Sequence, residues 1–200
     1  MAFSSIDTDI ALALKEYTSL YDQAEKALKV TEIDTLSGIA IAAANELRYA
    51  GQHIARIFAL SNKGEILNEI ELGQRHAKRA IYDAYDAAIM FYFKQFKQFM
   101  EEYQAIPIVP SYPGYMDDKG RMRALQNDIA EENREIREDY AERKQGQLAV
   151  AKEIASKCDD AREELNKQKI SARTAAKRHL VLVIIGIVAM LIAAIGLFKN

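Results

Sequence analysis

A single cysteine, Cys158, has no intramolecular partner in a chain of 200 residues. That excludes a disulfide framework and fits a reducing compartment, with Cys158 read as an ordinary helix-face residue. Proline is nearly missing as well: Pro107, Pro110 and Pro113 all fall within residues 106–114, beside Gly114. Everything outside that stretch is free to run in long helices, and the stretch itself must interrupt them. No surplus of basic charge exists, the formal net charge being -2, which argues against a whole-chain nucleic-acid binder. The first residues carry neither a basic cluster nor an apolar run, so no signal peptide is expected and synthesis in the cytosol follows. Strands are missing too. The densest β-branched run before the last twenty residues is Ile106-Pro107-Ile108-Val109-Pro110, and its two prolines remove the donors a sheet needs. Nor is there a glycine-rich phosphate loop, a Ser or Cys nucleophile motif or a dinucleotide fingerprint.

What is present is a long apolar run at the end. Residues 180–198 hold nineteen side chains without a charge, about 28 Å as a helix against a hydrocarbon core of about 30 Å. A buried globular helix of that length would carry a polar face, and none is present. The expectation is one transmembrane helix that anchors the chain by its tail. Arg162, Lys167, Lys169, Arg173, Lys177 and Arg178 precede it and only Lys199 follows. That asymmetry places the N-terminal part in the cytoplasm. Lys167, Lys169, Arg173, Lys177 and Arg178 are the expected contacts for anionic lipid head groups. Inside the run, Gly186, Ala189, Ala193 and Gly196 recur at spacings of three, four and three. They form a small-residue face on which membrane helices approach closely.

The remainder reads as an all-α helical bundle with a long C-terminal helix leading into the transmembrane helix. Ile10, Leu14, Tyr17, Tyr21, Ala24 and Leu28 make one amphipathic helix after the candidate caps Ser5 and Thr8. A second starts near Asp34 or Thr35, carries Leu36, Ala40, Ala43, Leu47, Ala50, Ile54 and Ile57, and stops near residues 62–64. A third covers residues 65–103, with Ile70, Ala77, Ala84 and Phe91 recurring every seven residues. Small residues on facing stripes bring helices two and three close. The expected organisation is a bundle over residues 1–105, a proline-rich loop at 106–116, a long charged helix and stalk at 117–178, and the membrane helix at 180–198. The thin apolar stripe of 117–178, including Leu125, Ile129, Ile136, Leu148, Ile154, Cys158 and Leu165, suits a partly exposed helix or a weak coiled coil. Such a helix needs company, so a homo-oligomer is expected.

Two groups of polar residues invite chemistry. Helix two presents Asn45, Arg48, Gln52 and Arg56, with His53 five residues after Arg48. This spacing resembles the short motif of HEPN-family ribonucleases, which implies phosphate binding by Arg48 and proton transfer by His53. Tyr49 stands where that family favours a small polar residue. Helix three opens with Glu71, Arg75, His76, Arg79, Asp83 and Asp86, a set that mutual neutralisation as a network explains. The two histidines lack His-x-x-x-His or Glu-x-x-His spacing, so no metal site and no cofactor is expected.

Two patterns occur together: Ala44-Asn45-Glu46-Leu47-Arg48 followed by His53 and Arg56, then Gln74-Arg75-His76 followed by Arg79-Ala80-Ile81-Tyr82-Asp83-Ala84. Over about residues 35–100 they resemble a helical domain of bacterial conflict and antiphage proteins. With one terminal membrane helix, the chain resembles the membrane effector subunit of Hailong-type defence systems. The resemblance implies a homotetrameric, ion-channel-like effector in the bacterial inner membrane, held inactive by a partner nucleotidyltransferase. The expected function is therefore membrane permeabilisation by an oligomer, not enzymatic, with no catalytic residue assigned. The rivals are a membrane-tethered HEPN-like ribonuclease and a non-enzymatic tail-anchored adaptor.

Overall fold

The computed structural model describes residues 7–35, 40–131 and 140–197, with side-chain surroundings over 7–32, 40–129 and 141–191. Five helices follow in order: α1 (Thr8–Thr35), α2 (Ile41–Ile57), α3 (Lys63–Glu102), α4 (Tyr115–Glu131) and α5 (Tyr140–Leu197). Among the described residues there is no strand. The fold is all-α, and its long C-terminal helix runs on into a segment apolar enough to cross a membrane.

α3 is the spine. Its 40 residues extend about 60 Å; α1 and α2 pack on its N-terminal half, α4 and α5 on its C-terminal half. The first half buries small residues, Ala24, Ala43, Ala50, Ala77, Ala80 and Ala84, so the helices can approach closely. A Cβ placed on Gly73 would stand 3.4 Å from the Ala50 carbonyl and 3.0 Å from the Tyr17 ring. The second half buries large ones, among them Phe96, Phe99, Tyr103, Met122, Ile154 and Leu165. The proline-bearing loop belongs to this core, since Ile108, Tyr112 and Tyr115 are buried in it.

Helix boundaries follow local chemistry that periodicity does not carry. Asp7, rather than Thr8, caps α1: its carboxylate accepts from the Asp9 amide at 3.0 Å. Ser5 lies outside the described residues. α1 then continues through Asp34 and Thr35, where the second helix was expected to start. In its last turns the buried Thr31 hydroxyl donates to the Ala27 carbonyl (2.9 Å) and lies 3.1 Å from that of Ala84 on α3, tying the helix down. Leu36 is outside the described residues. Asn62 opens a helix instead of closing one. Its side-chain oxygen accepts from the amides of Gly64 and Glu65, at 2.8 and 3.2 Å, and caps α3.

The described residues of 117–178 are shared between two helices, α4 and α5, that run antiparallel. Lys157 reaches Asp118 (3.0 Å), Arg121 reaches Glu153 (3.4 Å), and Gln147 donates to Asp128 (3.0 Å), so the pairing descends one helix as it climbs the other. Leu148, Ile154, Cys158 and Leu165 of the thin apolar stripe are all buried in this arrangement. Ile136 lies outside the described residues. α5 leaves the bundle after Lys169, and every described residue from Ile170 to Leu191 is exposed.

Candidate functional site

The exposed end of α5 is the first unusual surface. Ten large apolar side chains between Leu180 and Leu191 are each at least 43% exposed. Even half of the usual burial value per side chain makes their exposure to water cost on the order of 10 kcal/mol, as much as a whole domain's stability. Such a segment belongs in an apolar medium, and it is long and apolar enough to cross a membrane. Gly186 and Ala189 lie open on it, and among the described residues nothing beyond the helix's own backbone stands within 4 Å of a Cβ added at Gly186. Ala193 and Gly196 are helical in backbone, but their side-chain surroundings lie outside the described residues, as does Phe198.

The five basic residues before the segment fall into two groups. Lys167 is paired with Glu163 at 2.8 Å. Lys169 is 3.6 Å from Glu102 at the end of α3, and its ammonium sits 5.2 Å from the centre of the Tyr103 ring. Arg173, Lys177 and Arg178 are exposed on the free part of the helix. Around Lys169 the exit of α5 is held by a collar of polar contacts. The Tyr103 hydroxyl donates to Asn166 (2.9 Å), Gln168 donates to Ser111 (2.9 Å), and Arg162 binds Glu102 (2.6 Å).

The second unusual surface is the seam between α2 and α3. His53 donates from Nδ1 to the Glu69 carboxylate at 2.7 Å, and His76 donates from Nδ1 to Glu46 at 2.6 Å. The two imidazoles stack, with centroids 5.1 Å apart and planes 17° from parallel. Each histidine is bound by a carboxylate of the other helix. The cause is visible in the chain: Glu precedes His by seven residues on both helices, and in antiparallel register that equal spacing pairs each acid with the opposite histidine. The crossing of Ala50 and Gly73 lies midway between the two pairs. Arg56 stands 3.8 Å from Glu69, and the Arg48 guanidinium lies over the Tyr49 ring at 4.7 Å.

These contacts redistribute the residues that the sequence singled out. His53 and His76 come together, whereas Arg48 and His53 are engaged by different neighbours. Glu46 and Glu69, which sequence reasoning passed over as acids near histidines, complete the seam. Among the described residues no three His, Cys, Asp or Glu side chains are grouped to hold a metal. Glu71 binds Arg75 within one turn. Asp86 finds its partner on α5, pairing at 2.8 Å with Lys144, which is fully buried. Cys158 is buried and its thiol is pushed up to about 12 by that burial, which leaves it no nucleophilic thiolate at neutral pH.

Compared with protein-family models, with curated proteins and with solved structures, the chain matched none.

Proposed function

We propose that this chain is a single-pass membrane effector of the bacterial inner membrane, with its helical domain on the cytoplasmic side. In this reading the membrane helices of several copies, four by the resemblance described above, cluster and permeabilise the bilayer during antiphage defence. A partner protein of the nucleotidyltransferase kind restrains them. One observation supports the reading: α5 is a single helix that is core at Leu148, Ile154 and Leu165 and apolar and exposed from Leu180 to Leu191. Any change in how the bundle grips α5 therefore reaches the bilayer without an intervening joint. The basic residues before Leu180 and the single one after the apolar run support the cytoplasmic placement.

The experiment is dye leakage from vesicles reconstituted with the full chain, read beside toxicity on expression. Wild type is expected to leak. Gly186→Leu, which keeps hydrophobicity while forcing neighbouring helices apart, is expected to stay membrane-bound and lose both leakage and toxicity.

The ribonuclease reading has one contact in its favour, the carboxylate of Glu69 that orients His53 as an acid–base group would require. A folded His53→Ala variant that is harmless, beside a fully toxic Gly186→Leu, would overturn the effector reading and install the nuclease. Partner recruitment without leakage or RNA cleavage would leave the adaptor.

A further inference from the structure

After Glu164 the chain contains no Asp or Glu, while five basic residues follow before Leu180. Each must find its counter-charge upstream, elsewhere in the bundle, or outside the molecule. Lys167 and Lys169 find theirs inside, on Glu163 and on Glu102. Arg173, Lys177 and Arg178 are exposed and join no ion pair among the described residues.

Height along the helix separates the same two groups. At 1.5 Å per residue, Arg178, Lys177 and Arg173 lie about 3, 4.5 and 10 Å outside Leu180, while Lys169 and Lys167 lie about 16 and 20 Å away. The head-group layer outside the hydrocarbon is about 5–8 Å thick. Lys177 and Arg178 fall within it, and the long side chain of Arg173 spans the remaining gap. Lys169 and Lys167 stand clear of it. Angular position identifies the ligand. Arg173 and Lys177, four apart, share a face, whereas Arg178 is rotated by about 100° from Lys177. Arg173 and Arg178, five apart, are about 140° apart around the helix, so one dissolved anion cannot be gripped by all three side chains at once. A ring of lipids surrounds the helix and offers phosphates in every direction at a fixed height.

We propose that Arg173, Lys177 and Arg178 alone hold the phosphates of anionic lipids, and that Lys167 and Lys169 instead lock α5 to itself and to α3, keeping the bundle clear of the head groups. This rests on the membrane-spanning reading of residues 180–198. It divides the five basic residues into two devices with separable phenotypes.

The test uses the full chain reconstituted in phosphatidylcholine vesicles with and without phosphatidylglycerol. Phosphatidylglycerol retained per chain is read by native mass spectrometry after mild detergent extraction. The triple variant Arg173→Gln, Lys177→Gln, Arg178→Gln should lose retention by about fivefold per charge, the equivalent of about 1 kcal/mol each. The double variant Lys167→Gln, Lys169→Gln should retain lipid like wild type, yet show faster amide exchange at residues 102–111 and 165–170, where the collar sits. Equal loss in both variants, or wild-type retention in the triple, would overturn the proposal. So would displacement of the lipid by inorganic phosphate, which would make the ligand a dissolved anion. Release of wild type from vesicles by alkaline carbonate would instead defeat the spanning reading itself, and this one with it.

Discussion

Asp118 receives three hydrogen bonds: from the Tyr112 hydroxyl (2.9 Å), Arg121 (2.7 Å) and Lys157 (3.0 Å). Burial raises its carboxyl, but the bonds from Lys157, Tyr112 and Arg121 outweigh burial and hold it below the ordinary 3.8. A carboxyl lowered by folding contributes stability above its unfolded value and loses it as pH falls through the folded value. Asp118→Asn should therefore cost about 1–3 kcal/mol at neutral pH, and its deficit against wild type should narrow below about pH 3.8. Urea melts at several pH values check this. The Asp86–Lys144 pair gives a second test, because its two ends are unequal: Lys144 is fully buried while the Asp86 side chain is 29% exposed. Asp86→Ala takes that carboxylate from a buried ammonium and should cost about 3 kcal/mol or more. Lys144→Met leaves a carboxylate that water reaches and should cost less. Equal losses in urea titrations would show that burial of the lysine is not the deciding factor.

The close approach of α2, α3 and α1 is decided at single glycines. At Gly73 an added methyl meets the buried Tyr17 ring at 3.0 Å, whereas at Gly51 it meets nothing within 4 Å among the described residues. Gly73→Ala should destabilise by about 1–3 kcal/mol through overpacking, set against a helix-propensity gain of about 1 kcal/mol. Gly51→Ala has only the gain. Gly51→Ala should melt above wild type, and Gly73→Ala should melt below Gly51→Ala in thermal scans. At this scale the helices themselves were legible from spacing, since Ile70, Ala77 and Ala84 lie where a seven-residue recurrence puts them. Their ends were not. Asn62 and Gly64 have the composition of a stop and of a start, and only the carboxamide accepting from two amides tells which. The histidine seam was equally hidden. Seven residues between Glu and His mean nothing on one helix and acquire meaning once a second helix with the same interval lies antiparallel to it. The collar at Lys169 was illegible for a different reason, because Glu102 is 67 positions away in the chain.

The whole molecule separates into a part that buries its apolar surface and a part that does not. Among the described residues the last buried one is Leu165, and the exposed stretch begins at Ile170. Deleting residues 180–200 should therefore leave the core and collar untouched. The shortened chain should be soluble without detergent and melt within about 2 °C of the intact one, less than a loss of about 1 kcal/mol would produce. A collapse in helicity would show that the segment contributes to folding.

The lack of any break in α5 gives the molecule the geometry of a lever with its fulcrum at the collar. About 40 Å of helix projects from Ile170 to Leu197, so tilting the buried arm by roughly 10° would sweep the far tip through roughly 7 Å. That exceeds the width of a single lipid chain. Small rearrangements among Leu148, Ile154 and Leu165 would be magnified at the far tip of the helix, and the pivot strength set by Glu102, Tyr103 and Ser111 governs how much of the stroke is delivered.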